Sequence, residues 1–272
     1  MVRGVAKRVA AAPGVVKAQL TVCHNRTVVS LRRSVHGVVL AVVVLTTGPP
    51  EAPAGPAPEL PAQLPPAARA RLQPITDRAS LAVKVDGQPF VGRREVFEFL
   101  LDHPDFATHV TRALKFARYK IWRTPGGLGI DDGWGTVGSF ETVWSAAGHR
   151  VMYARGVYQH KILPDIQGQA VVSIDYGVEP AANGRSHISA AVTGFVKLDS
   201  RILALASKMA SSVARAKGEK EAKSLVGLFA RTTQAIEADP AGVFDKVRQR
   251  SDVPARELDD FRRLLSLPTA AR

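Results

Sequence analysis

Cysteine is nearly absent from this chain. Among its 272 residues Cys23 stands alone, which excludes an intramolecular disulfide and any zinc site built on thiolates. Acidic residues are missing from the first fifty positions, where Arg3, Lys7, Arg8, Lys17, Arg26, Arg32 and Arg33 all precede Glu51. The net charge of +13 is therefore lopsided. Beyond the amino-terminal region the excess is spread thinly, without the basic stripe that grips phosphates, which argues against a nucleic-acid partner. Long apolar runs are scarce too. Val35 to Leu45 is the most apolar stretch, shorter than the ~20 residues a membrane-spanning helix needs.

That run follows Arg32-Arg33 and precedes Ala52-Pro53-Ala54. A basic start, a short apolar core and small residues suit a secretory signal segment. The expectation is an exported protein, periplasmic or extracellular; a cytoplasmic protein with a basic tail is the alternative. The long stretch before Arg32 fits translation starting near Val28 or Val29. Residues 1–54 are read as a leader. Eight prolines between Pro49 and Pro66 make 55–79 an extended, semi-rigid linker, with a short helix possible after Ala67. Residues 80–240 form the main domain, and 241–272 a helical extension.

Within the domain the hydrophobic period changes twice. Leu81 to Gly87 alternates as a strand, with a possible hairpin to Val91. Val96, Phe97, Leu100 and Leu101 follow helical spacing up to Pro104, and Phe106, Val110 and Leu114 form a second short stripe. Strand-like segments follow at 116–124, 134–145, 150–160, 169–178 and 186–198. Pro125 to Gly129 reads as a flexible loop. Short turns between them imply antiparallel neighbours. From about Arg201 to Ala238 the period is helical again, with Gly218 as a candidate kink.

The order strand, helix pair, strands, long helix resembles the START-like superfamily, also called the polyketide cyclase and dehydrase, SRPBCC or helix-grip fold. The phrase Phe97-Glu98-Phe99-Leu100-Leu101-Asp102-His103-Pro104-Asp105-Phe106 is similar to that family's first helix pair. The resemblance covers Leu81 to Ala238. It implies an α+β fold in which a curved antiparallel sheet wraps a long carboxy-terminal helix. It also implies an apolar or amphipathic ligand, such as a lipid, sterol or polyketide, between sheet and helix. Ligand cavities commonly measure about 300–1,000 Å³. The residues expected to line one here are Phe140, Ile174, Tyr176 and Val192 on the sheet and Ile202, Leu205, Met209 and Val213 on the helix.

No motif demands catalysis. The seven histidines lack the spacing of a zinc site, and no metal or cofactor is expected. Glu141, Tyr153, Arg155 and Asp175 are polar residues within strands. Facing inward, two of them can act as acid and base; the alternation around Asp175 favours the outer face. Tryptophans and tyrosines among Arg118, Lys120 and Arg123 resemble a stacking platform for nucleic acid, but strand packing explains them more simply. Basic residues on the long helix allow a peripheral membrane contact. The leading expectation is a carrier or binder of a hydrophobic molecule. The alternatives are a cyclase or dehydrase, and a surface interaction protein with an exposed apolar patch on Ala241 to Leu267.

Overall fold

A computed structural model describes residues 58–133, 135–159, 165–199 and 211–268, without the side chains of 211–214. The helices are α1 (Pro66–Thr76), α2 (Arg94–Asp102), α3 (Pro104–Ala113), α4 (Ser211–Ala238), α5 (Pro240–Arg248) and α6 (Ala255–Leu264). The strands are β1 (Leu81–Asp86), β2 (Phe90–Gly92), β3 (Lys120–Thr124), β4 (Gly127–Asp131), β5 (Thr136–Ala146), β6 (His149–Tyr158), β7 (Ile166–Pro180) and β8 (Ser186–Leu198). All pair antiparallel in the order β1-β8-β7-β6-β5-β4-β3, with β2 beside β8. The fold is α+β: a curved antiparallel sheet packed on the long α4, with two small helices inserted after β2. This is the helix-grip arrangement.

Local chemistry sets the breaks. Pro104 cannot continue α2, because it lacks an N–H and its ring clashes with the preceding turn; it fits the first turn of α3 instead. Asn183 and Gly184 both sit at positive φ, the geometry of the hairpin turn that joins β7 to β8. Asp239 caps α5 by accepting from the Gly242 amide at 2.9 Å, with Pro240 in the first turn. A register shift between Thr142 and Trp144 marks a bulge in β5, which adds bend and twist.

One element differs from the sequence reading. Gly127 to Asp131 is not loop but β4, paired on both sides; two glycines hide the strand pattern, and the neighbours supply it. Gly218, the candidate kink, lies inside α4. A side chain there would meet Leu81 Cδ2 at 2.9 Å and Val83 Cγ1 at 3.2 Å. Its role is to let the helix approach β1 closely.

Three apolar clusters hold the domain. Under α4, Phe97 packs edge-on against Phe90, Tyr176 and Phe229, at ring distances of 5.6, 5.2 and 6.3 Å. A second cluster is helical: Val96, Leu100, Phe106 and Val110 meet Val243, Val247, Phe261 and Leu265. The third lies on the convex face of the sheet, where Leu60, Leu64, Leu72 and Ile75 cover Val151, Val171 and Phe195.

That third cluster corrects the linker reading of 55–79. From Leu60 onward the segment buries a core and belongs to the folded unit. Its few large residues are spaced to meet the sheet, and Pro74 inside α1 masks the helical pattern. The carboxy-terminal helices are likewise integral. Phe261 is fully buried, so the apolar residues of 241–267 cover α3 and do not form the exposed patch expected of an interaction surface.

Candidate functional site

Between the concave face of the sheet and the helices lies a cavity of about 110 Å³, on a scale where one water needs about 10–15 Å³. Alternation along the strands decides its walls, because every second residue of β5, β6 and β7 points inward. The register brings these residues into rows. Gly138, Gly156 and Gly168 lie side by side on the three strands, and the next row is Phe140, Ala154 and Ala170. Met152, Val172 and Ile174 continue the wall. Ile121 and Ile130 line the cavity from β3 and β4, Leu101, Pro104 and Ala107 from α2 and α3, and Leu225 and Phe229 from α4. The space exists because the rows facing the helices carry glycine and alanine where a filled core would carry leucine.

Of the residues expected to line it, Phe140 and Ile174 do. Tyr176 and Val192 are buried in the core around Phe97 rather than on the cavity wall. Tyr176 is drawn there by its hydroxyl, which donates to Glu98 Oε1 at 2.8 Å. Ile202, Leu205 and Met209 lie outside the described residues, and Val213 lies on α4 with its side chain undescribed. The reading by composition overlooked Ala154, Ala170 and Met152. Counting from the hairpin turn at Gly148 does not find them, because the bulge between Thr142 and Trp144 shifts the pairing so that Phe140 meets Ala154 rather than Arg155.

Of the four polar strand residues, Glu141, Tyr153 and Asp175 make their contacts on the convex face, whereas Arg155 is among the residues that meet the cavity. Glu141 pairs with Arg71 of α1, whose guanidinium also lies 5.1 Å from the Tyr153 ring. Arg155 donates to Ser139 at 3.2 Å. Asp175 bonds His149 Nδ1 at 2.6 Å, and the imidazole stacks on Trp144 at 5.7 Å. Ser173 approaches Asp175 at 3.3 Å rather than His149, so the trio lacks the serine-to-imidazole bond of a nucleophilic triad. No acid–base pair from these residues converges on the cavity.

At the α2 end a polar lock secures the wall. Arg150 is buried and holds Asp102 through two bonds, Nε to Oδ1 at 2.6 Å and Nη2 to Oδ2 at 3.0 Å. Its Nη1 donates to the carbonyls of Ala146 and His149. The hydrogen bonds to Asp102, with its charge, raise the Arg150 pKa further against the cost of burial. Burial raises the Tyr176 pKa, and the Glu98 hydrogen bond adds to it.

Inside the cavity the notable polar side chain is Tyr119. The residue is half-buried and lines the cavity; burial pushes its pKa up to about 12 against the opposing effect of a hydrogen bond with Thr111. Thr136 also lines the space; its amide donates to buried Asp132 at 2.9 Å.

The remaining histidines are dispersed. His103 lies against Phe99 with ring centres 4.5 Å apart. His109 sits 3.6 Å from Asp252, and burial lowers its pKa despite that carboxylate. Among the described residues no three histidine, cysteine or acidic side chains gather as a metal site. The aromatics near Arg118 to Arg123 do not form one platform: Tyr119 lines the cavity, Trp144 is on the convex face, and Trp122 lies over Gly129 at the β3 edge.

No protein-family model matches the chain, and no curated protein matches it in sequence. Solved structures overlap it loosely. A hypothetical protein from Helicobacter pylori has 14% identity, with 55% of this chain and 88% of that one covered and a TM-score of 0.34. Ara h 8.0201 has 13% identity, 58% and 100% coverage and a TM-score of 0.32. Norcoclaurine synthase from Thalictrum flavum, in complex with dopamine and hydroxybenzaldehyde, has 11% identity, 59% and 91% coverage and a TM-score of 0.31. At these values the likeness carries no argument about function. The helix-grip architecture stands on this chain's own order of strands and helices.

Proposed function

We propose that this protein binds a small apolar molecule in the cavity between its sheet and helices. The observation that carries the reading is the cavity's wall. It is apolar on every side, and it is kept open by glycine and alanine at register-matched positions of three adjacent strands. An apolar pocket with few polar groups is the usual form of a ligand site. A lipid, a sterol-like or a polyketide-like molecule is the class we favour. A cyclase or dehydrase would need a convergent polar pair that the described lining does not supply. Export is a further part of the proposal and rests on the leader sequence alone; residues 1–57 lie outside the described residues.

Gentle purification from the native source, organic extraction and mass spectrometry test the binding reading. An apolar compound should co-purify in near-stoichiometric amount. Ala154→Leu, which fills the cavity, should abolish its recovery from a folded protein. An extract empty of apolar compounds, with no saturable uptake of apolar probes by the purified chain, overturns it. Amino-terminal sequencing of the native protein tests export: a mature terminus beyond Ala52 supports it, and one upstream of Arg32 overturns it.

A further inference from the structure

The cavity is small. At about 110 Å³ it falls well short of the ~300–1,000 Å³ of pockets that take drug-sized ligands. A dry apolar cavity of about 150 Å³ holds one benzene ring. Space of this order admits a single ring or the end of a short chain, and a nucleus of four fused rings has no room.

On the sheet side the limit traces to one residue. Phe140, Ala154 and Ala170 stand in one cross-strand row, and all three line the cavity. The alanine methyls leave the floor open. The third position carries a benzyl group, the one aromatic side chain that the described strands bring to this wall. Leu101 of α2 and Leu225 and Phe229 of α4 close the space from the helix side.

The same wall restricts the chemistry. Tyr119, Thr136 and Arg155 meet the cavity, yet the surface they and their neighbours present to it is almost wholly carbon. The Arg155 Nε donates to Ser139 at 3.2 Å, a residue outside the lining. A hydroxyl moved from water into this space loses its hydration and finds almost no polar surface to replace it, and a charged group loses far more.

Resting on the binding reading above, we infer that the cavity takes one small hydrocarbon group, a single ring or the end of a short chain, and that Phe140 sets its size limit. This narrows the ligand class. A sterol nucleus is excluded, and an amphiphile enters by its tail alone, with its head group left outside.

Toluene and phenol, titrated calorimetrically into the full chain at neutral pH, test polarity; phenanthrene, followed by its own fluorescence, tests size. Toluene should bind saturably. Phenol, of nearly the same shape, should bind at least about five-fold more weakly, because its hydroxyl is buried unpaired. Phenanthrene should show no saturable binding. Phe140→Ala, which vacates a ring's worth of space, should keep toluene binding and gain phenanthrene binding. Thermal melting reports whether that variant folds, and Leu225→Ala enlarges the same space from the helix side if it does not. Octanoate distinguishes the sources of the group: displacement of toluene assigns it to the end of an amphiphile, and no displacement to a free hydrocarbon. Phenanthrene binding the unaltered chain as tightly as toluene, or still excluded by the enlarged variant, overturns the size limit. Phenol binding as tightly as toluene overturns the hydrocarbon requirement. These outcomes leave the binding reading intact; failure of toluene, phenol and phenanthrene alike overturns that reading too.

Discussion

The two faces of the sheet are built from alternate residues of the same strands, and they have been treated in opposite ways. On the convex face Val151, Val171 and Phe195 are covered by α1 and the segment before it, and polar residues at the margin are paired: Glu141 with Arg71, Asp175 with His149. On the concave face Ala154, Ala170 and the glycine row leave space under α3 and α4. The neighbours Ala170 and Val171 illustrate the contrast, one lining the cavity and the other fully buried against α1. Large residues do fill the space beside the cavity, where Phe90 and Tyr176 of the sheet meet Phe97 of α2 and Phe229 of α4. Openness is therefore a local substitution of small for large.

The largest break in the comparison should come from the convex side. Leu72→Ala removes a fully buried side chain and should cost about 2–5 kcal/mol of stability, read by urea unfolding; a loss under about 1 kcal/mol would mean that α1 is not part of the cooperative unit. Next is the lock at the end of the cavity. Asp102→Ala leaves the Arg150 guanidinium buried with the Ala146 and His149 carbonyls and the Tyr176 ring but no carboxylate, and a loss of about 1–3 kcal/mol is expected. An unchanged unfolding midpoint would show the pair to be ornamental.

The sharpest comparison uses adjacent residues. Val171→Ala should destabilise by about 2 kcal/mol, from lost burial and the void left behind. Ala170→Leu should change stability by less than about 1 kcal/mol, because the added atoms enter existing space, yet abolish uptake of apolar probes. Equal destabilisation by both substitutions would mean that the two faces are equally filled.

The smallest effect is a pH dependence confined to the helical side. Burial holds His109 below the ordinary imidazole pKa in the fold, although Asp252 pulls it upward. A depressed folded value means that the unfolded chain takes up the proton first. Stability is then complete above the unfolded pKa near 6.5 and is lost as pH falls toward the folded value. Asp252, whose own burial is outweighed by Arg250, adds a further loss in the carboxylate range. His109→Gln should flatten the first decline in thermal melting between about pH 7 and 5; a decline of unaltered slope assigns it to another group.

The fold was largely legible because period two and period 3.6 alternate cleanly from Leu81 to Ala238, and because Pro104, Asn183-Gly184 and Asp239-Pro240 punctuate the elements. Strand β4 was not legible, since Gly127 and Gly129 carry no pattern of their own. Helix α1 was obscured by the prolines before it and by Pro74 within it. The site was half legible. Phe140 and Ile174 were identifiable as inward-facing, but a cavity depends on which inward residues are small, and Ala154 and Ala170 draw attention only after cross-strand register is known. The placement of Tyr176 turned on Glu98, a partner 78 residues away in sequence that no local pattern reveals.

The packing of α5 and α6 against α3 has a practical meaning for anyone dissecting this gene product. A boundary drawn at Asp239, where the long helix stops, would look natural. It would strip Val243, Val247 and Phe261 from the far side of the helix whose near side, at Pro104 and Ala107, closes the cavity. The shortened polypeptide would keep every strand and the gripping helix and lose the support behind one wall of its pocket. The smallest unit that keeps the cavity's walls supported on both sides therefore extends from the residues before α1 to those after α6.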